Sequence, residues 1–175
     1  SYNEEKLMNI ASLITKGSTP TTYGFKYLEQ GISFIKVENV KNGKIDHCTI
    51  NQYISQEAND FQKRSQLEEN DILFSIAGTI GRTCIVTKND LPANTNQAFA
   101  IIRGYDSKII PEYLELYLNW YVYRKTSLAG HGAGMLNVTL NDLKTMVINY
   151  PINKNTQKLI VDKIINIKDK FEMIS

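Results

Sequence analysis

The sequence predicts a single globular α/β (α+β) domain in which short strands alternate with short helices. Short apolar segments separated by glycine, proline and asparagine turns recur through the first half of the chain, as in strands. Apolar residues at helical spacing are confined to a few other segments. The length of 175 residues, with 42% hydrophobic and 22% charged residues, supports one core and excludes collagen-like or disordered chains.

The N-terminal segment predicts a short helix followed by a polar loop. Glycine is favoured just after a helix, so the helix is expected to end at Gly17. The polar loop then covers residues 16–24. The apolar residues at helical spacing are Leu7, Ile10, Ala11 and Ile14.

Most of the predicted strands lie between residues 32 and 102. Asn42-Gly43 is a strong hairpin-turn signal. Residues 55–66 are expected to be helical or irregular, with Ala58, Phe61 and Leu67 turned inward, and residues 89–96 to form a loop. The predicted strands are residues 32–37, 45–54, 71–77, 82–87 and 97–102.

Two further helices and a strand are predicted before residue 152. Pro111 favours the first turn of a helix that runs to about Lys125, with an apolar stripe on one side. Thr139 and Asp142 form a capping-box pattern for a short second helix. A strand over residues 147–150 ends at Pro151.

The last segment has the apolar spacing of a coiled coil. The steps between its apolar residues are 4-3-4-3, which predicts a long dimerising helix that continues beyond this sequence. The alternative is an ordinary C-terminal helix that packs on its own domain. The residues of the seam are Ile160, Ile164, Ile167, Phe171 and Ile174.

The sequence contains no pattern for catalysis, metal binding or cofactor binding. The two cysteines and two histidines are not clustered as zinc ligands are, and no nucleophile triad or phosphate-binding loop is present. We therefore expect a binding module without a cofactor. Two cysteines also do not make a disulfide framework, and the first residues lack a secretory-signal pattern, so we expect a cytoplasmic protein without membrane contact.

Polar loops supply the positive indication of function. Amide side chains pair with adenine, and arginine or lysine with guanine, while glycine lets the backbone approach phosphate. The net charge of +2 neither requires nor excludes nucleic acid. Each loop is also explained by ordinary turn chemistry. The loops are residues 16–22, 36–42, 78–82, 94–97 and 130–137.

Six short motifs, taken in order, cover nearly the whole chain. The most specific of them is DILFSIAGTIGR, at residues 71–82. Together they resemble the target recognition domain of type I restriction-modification specificity subunits. The other five motifs are KGSTP at 16–20, GISFIKVENV at 31–40, YLELYLNWY at 113–121, GAGMLNV at 132–138 and QKLIV at 157–161.

The resemblance implies a twisted, mostly antiparallel or mixed sheet, flanked by short helices, that presents loops to the major groove of DNA. Residues 1–153 would read one half of a bipartite target, and residues 154–175 would begin a spacer helix that docks methyltransferase subunits. Catalysis would belong to the methyltransferase (modification) and restriction subunits. Such subunits usually carry two recognition domains, so we expect a fragment or a half-subunit.

The resemblance and the loop chemistry together select candidate contacts to double-stranded DNA. The candidates for positioning the DNA backbone are Lys16, Ser18, Thr19, Thr79 and Arg82. The candidates for reading bases are Lys36, Asn39, Asn96, Gln97 and His131.

Two other interpretations remain open from the sequence. One is the recognition domain of a single-chain restriction-methyltransferase. The other is a protein-interaction module that works through its C-terminal helix, with no role for DNA.

Overall fold

Small mixed and antiparallel sheets form the architecture, and most of the helices pack against one face of the central sheet. The computed structural model describes residues 1–128 and 137–174, with only the backbone of Leu128. Within these ranges the strands are β1 (Tyr2–Lys6), β2 (Leu13–Lys16), β3 (Ile32–Ile35), β4 (Val40–Lys41), β5 (Lys44–Ile45), β6 (Tyr53–Ile54), β7 (Ile72–Ser75), β8 (Thr83–Ile85), β9 (Ala93–Thr95), β10 (Phe99–Arg103) and β11 (Val147–Pro151). The α-helices are α1 (Leu7–Ile10), α2 (Gln56–Phe61), α3 (Pro111–Leu128), α4 (Leu140–Thr145) and α5 (Lys154–Glu172).

The central sheet is antiparallel, with strand order β2-β10-β7-β8. A second sheet, β6-β3-β9, is mixed, because β3 runs parallel to β9 and antiparallel to β6. The strands β1 and β11 form a separate antiparallel pair, and β4 and β5 form a hairpin. The predicted mixed α/β class is confirmed.

The central strands are buried on both faces. Side chains alternate between the two faces of a strand, so Ile72 and Phe74 of β7 enter the core beneath α3. Leu73 lies in a second core, shared with Ile35 of β3. Burial on both sides explains why β7 is apolar at every position except its last.

Two local signals in the sequence form as predicted. Asn42 and Gly43 adopt φ angles of 53° and 76°, as a type I′ turn requires, and join β4 to β5. The side chains of Thr139 and Asp142 cap α4 reciprocally, with hydrogen bonds of 2.8 and 3.1 Å.

Several predicted elements were wrong. The first helix is only the single turn α1, because residues 13–16 pair with β10 instead. The predicted strand over 45–54 is broken by a 3₁₀ turn at His47–Thr49, which the Asp46 side chain caps. The predicted loop over 89–96 contains β9.

Phe61, predicted to turn inward, is 58% exposed. Its ring instead packs beside Tyr23 and Phe25, at centroid distances of 5.0 and 5.5 Å. Ala58 and Leu67 are buried as predicted.

The C-terminal helix α5 has two different halves. Its first half packs on the domain through Val161 and through Gln157, whose amide group binds the backbone of Ile110, Lys108 and Pro151. Its second half exposes apolar side chains, with Phe171 at 70%. The first half therefore packs as an ordinary C-terminal helix does, while dimerisation through the second half stays a prediction. Among the described residues, no helix is long and apolar enough to cross a membrane.

Candidate nucleic-acid interface

Four of the predicted polar loops meet along one edge of the fold, because of the strand register. The parallel strands β3 and β9 end together at Ile35 and Thr95, so Lys36 and Asn96 follow at neighbouring positions. The start of β10 pairs with the ends of β2 and β7, at Lys16 and Ser75. Loops that are far apart in the sequence therefore share one edge, which we call the loop edge: residues 16–19, 36–39, 76–82 and 96–98.

Gly17 brings two of these loops into direct contact. A Cβ atom at this position would lie 2.0 Å from the carbonyl oxygen of Thr95, so only glycine fits without movement. Two residues further on, the Thr19 hydroxyl donates to Oε1 of Gln97 at 2.7 Å. The close approach therefore holds two predicted DNA-contacting side chains together.

Buried amide side chains form hydrogen bonds that hold the Ser18 loop in place. Gln62 donates from Nε2 to the Ser18 hydroxyl at 2.6 Å and to the Ser18 carbonyl oxygen at 3.0 Å. Asn94 of β9 donates to Asn59 and to the carbonyl oxygen of Gln62. The loop containing Ser18 is thereby tied to α2 and to β9.

Charged side chains gather at the other half of the loop edge. Lys36 Nζ lies 3.0 Å from Glu38 Oε1. Arg82 donates from Nη1 to the carbonyl oxygen of Val37 at 3.2 Å. The pKa of the Glu38 carboxyl is lowered by a hydrogen bond from its own backbone N–H, by Lys36 and by the charge of Arg82, so this group is ionised at neutral pH.

The turn that carries Arg82 is held by Ser75. The Ser75 hydroxyl accepts from the backbone N–H of Arg82 at 2.8 Å and donates to the carbonyl oxygen of Thr79. Beside this turn lies a polar cleft of about 740 Å³, whose lining includes Glu38, Asn42 and Arg82.

Most of the predicted contact residues lie at the loop edge. Lys16, Thr79, Arg82 and Gln97 are exposed, and Ser18, Thr19, Lys36 and Asn96 are partly exposed. The Asn96 side chain also accepts from the backbone N–H of Ala98 at 3.0 Å. His131 lies outside the described residues.

The structure corrects the prediction that Asn39 reads bases. Its side chain is fully buried. Oδ1 accepts from the backbone N–H of Lys36 at 2.8 Å, and Nδ2 donates to the carbonyl oxygen of Thr49 at 2.9 Å. The residue shapes the loop rather than facing a ligand.

Sequence reasoning missed two features of this edge. Glu38 was not singled out, because a spacing of two residues is no signal for an ion pair and its contact with Lys36 depends on the 3₁₀ turn after β3. A partly exposed aromatic cluster of Tyr23, Phe25 and Phe61 adjoins the Ser18 loop, because Gln62, which binds Ser18, follows Phe61 in the chain. No local pattern indicated that these rings would meet.

A second candidate surface lies between α3 and α5. It is an apolar groove of about 420 Å³, lined by Trp120, Tyr123, Ile160 and Ile164 among others. Beyond it, the exposed side chains of Ile167 and Phe171 continue along α5, and exposed Ile174 follows just after the helix ends. In the described ranges, no three histidine, cysteine or acidic side chains are grouped to hold a metal ion.

Comparison with known proteins shows the family of the chain. The family model for the type I restriction modification DNA specificity domain matches residues 6–174, and the chain therefore belongs to this family. A curated relative, the type I restriction enzyme EcoBI specificity subunit of Escherichia coli, is 30% identical over 149 residues. That match covers 83% of this chain and 31% of the relative.

Solved structures share the fold. A chain of a type I restriction-modification system, studied for its assembly and conformational transition, has a TM-score of 0.72 at 18% identity. The HsdS subunit from Thermoanaerobacter tengcongensis has a TM-score of 0.68 at 16% identity. The matches cover 99% of this chain and 40% and 43% of those chains, so this chain spans less than half of each.

Proposed function

We propose that this chain binds double-stranded DNA sequence-specifically and reads one half of a bipartite target for a type I restriction-modification complex. The observation that carries the proposal is the loop edge, where side chains from distant loops meet on a rigid two-sheet frame. Sequence readout requires such rigidly held side chains at base edges, together with cations at phosphates. Membership in the DNA specificity domain family supports the same function.

The exposed positions divide naturally by chemistry. We assign Lys16, Ser18, Thr19, Thr79 and Arg82 to the DNA backbone, because cations and hydroxyls bind phosphate. Lys36, Asn96 and Gln97 are assigned to bases. Oε1 of Gln97 has a second lone pair beyond the one that Thr19 uses, so the amide keeps both a donor and an acceptor for adenine.

The chain contributes recognition and no catalysis in this proposal. Adenine methylation and DNA cleavage belong to the methyltransferase and restriction subunits that it directs. Because such a complex acts on DNA inside the cell, the proposal places the chain in the cytoplasm.

Selection from randomised duplexes, at low and moderate salt, tests the proposed function. We expect enrichment of one short motif. Binding that falls steeply with salt and enriches no motif, even with a methyltransferase subunit added, would contradict base readout, because phosphate contact alone behaves this way. Absence of any DNA binding would instead favour a protein-interaction module.

Arg82→Ala is expected to weaken binding to all duplexes, unrelated ones included. Its guanidinium is exposed at the loop edge and is assigned to phosphate, so its loss should lower the slope of log affinity against log salt by about 1. Fluorescence anisotropy across a salt series measures this slope. Lys6→Ala, an equal charge change on β1, is the control, and an Arg82 variant with the same slope as this control would contradict the assignment.

The second half of α5 is proposed to associate with a second copy of the chain or with a methyltransferase subunit. The supporting observation is that apolar side chains at the seam spacing are exposed, Ile167 and Phe171 on α5 and Ile174 just after it, since such a row is covered in coiled coils.

Phe171→Asp is expected to abolish self-association without lowering stability, because this side chain is 70% exposed. Sedimentation equilibrium over a range of concentrations measures it. Asn166→Asp adds the same charge on an exposed position outside the seam and should leave association intact. A wild-type chain that stays monomeric throughout, or a Phe171 variant that still dimerises, would refute self-association through this row.

A further inference from the structure

An ion pair lies at the charged half of the loop edge, which is the proposed DNA surface. Lys36 and Glu38 lie 3.0 Å apart, directly after β3, and the Glu38 side chain is 65% exposed. The Lys36 side chain is only 18% exposed, so its alkyl stem is packed against the protein while its ammonium group meets Glu38.

The segment that carries this pair is held rigidly. Asn39 binds the backbone of Lys36 and of Thr49 through its buried amide. Arg82 binds the carbonyl oxygen of Val37, between the two charged residues. The two side chains therefore project from a backbone that is fixed from both sides, which base readout requires.

An exposed carboxylate is unfavourable on a surface that binds a polyanion. It repels phosphates and cancels part of the attraction of Lys36 and Arg82. A carboxylate at such a surface offsets this repulsion where it accepts a hydrogen bond from a base. The amino groups that base pairs present in the major groove are N4 of cytosine and N6 of adenine.

We propose that Lys36 and Glu38 together read one G·C base pair in the major groove, an inference that rests on the proposed DNA binding. Glu38 accepts from cytosine N4, and Lys36 donates to guanine O6 and N7. In a G·C pair, N4 and O6 are hydrogen-bonded to each other, at roughly 2.9 Å. The spacing of 3.0 Å between the ammonium nitrogen and the carboxylate oxygen therefore matches the spacing of cytosine N4 and guanine O6, while guanine N7 lies beyond O6 as a second acceptor for the ammonium group.

Guanine is favoured over thymine as the partner of Lys36. Guanine presents two adjacent acceptors to a cation, whereas thymine presents one acceptor next to a methyl group. An A·T pair would satisfy Glu38 but leave the ammonium group with a poorer contact.

Glu38→Ala tests the inference by duplex selection, with Glu4→Ala on β1 as a control of equal charge change. We expect the Glu38 variant to keep the wild-type motif except at one G·C position, where its preference falls roughly 5- to 150-fold. Affinity for unrelated duplexes should rise, because a repulsive charge is removed. Glu38→Gln keeps an acceptor oxygen and should lose less of the preference. Thermal unfolding should be unchanged.

The outcomes separate the inference from the proposed function. If the wild type selects a motif and Glu38→Ala selects the same motif unchanged, the pair does not read bases, although DNA recognition stands. Relaxation at an A·T position, or equally at all positions, would also overturn the inference. A wild type that selects no motif would overturn the proposed function itself and the inference with it.

Discussion

Asp71→Ala is expected to destabilise the fold by about 3–5 kcal/mol, because it leaves a guanidinium without its buried partner. The Asp71 side chain is fully buried and accepts from Nε and Nη2 of Arg103, both at 2.8 Å. Arg103 also donates to the carbonyl oxygen of Gln66. The pair thus joins the end of β10 to the segment before β7, and denaturant unfolding measures the loss.

Glu68→Ala is the matched control for this experiment. Glu68 contacts the same guanidinium at 3.3 Å, but its side chain is 64% exposed. Exposed ion pairs contribute about 0–1 kcal/mol, so this variant should unfold nearly as the wild type does. Equal effects of the two variants would show that burial of Asp71 does not set the strength of the pair.

Gly17→Ala is expected to reduce both stability and DNA binding. The added methyl group would lie 2.0 Å from the Thr95 carbonyl oxygen and 2.8 Å from that of Asn96, so the loop must move away from β9. Forced repacking of this kind costs about 1–3 kcal/mol or more. The contact between Thr19 and Gln97 should break as well, and the affinity for the selected duplex should fall about tenfold, as expected when a base contact is lost.

Gly24→Ala is the control for Gly17→Ala. It separates the effect of a steric clash between loops from the effect of replacing a glycine in the left-handed conformation. Gly24 has a φ of +86° but open space where a Cβ would stand. Its replacement should cost about 1 kcal/mol through left-handed strain and should leave DNA affinity unchanged. If Gly17→Ala bound the selected duplex as tightly as Gly24→Ala, the contact between the loops would not be needed for binding.

Elements with strong local signals were predictable from the sequence. Asn42-Gly43 forms a tight turn because few other residue pairs accept two positive φ angles. The capping box at Thr139 forms because both of its hydrogen bonds are made within four residues. The strand β7 was also found, since an apolar run of this length is typical of a strand buried on both faces.

Elements that depend on distant partners were not predictable. Residues 13–16 follow helical spacing but form β2, because β10 offers hydrogen bonds along their whole length. The strand β9 lies in polar sequence and forms through its parallel pairing with β3. Phe61 is exposed because α2 presents it to Tyr23 and Phe25 rather than to the core.

The features of the candidate site also divide into those predictable from the sequence and those that depend on distant partners. The sequence by itself determined the residue types of the polar loops, and the order of its motifs carried the resemblance to the specificity domain family. Only the tertiary structure decided that these loops share one edge, that Asn39 is buried beneath them and that Glu38 stands beside Lys36. The physical reason is that strand register brings distant residues together, and a buried amide is distinguished from an exposed one by its packing and not by its neighbours in sequence.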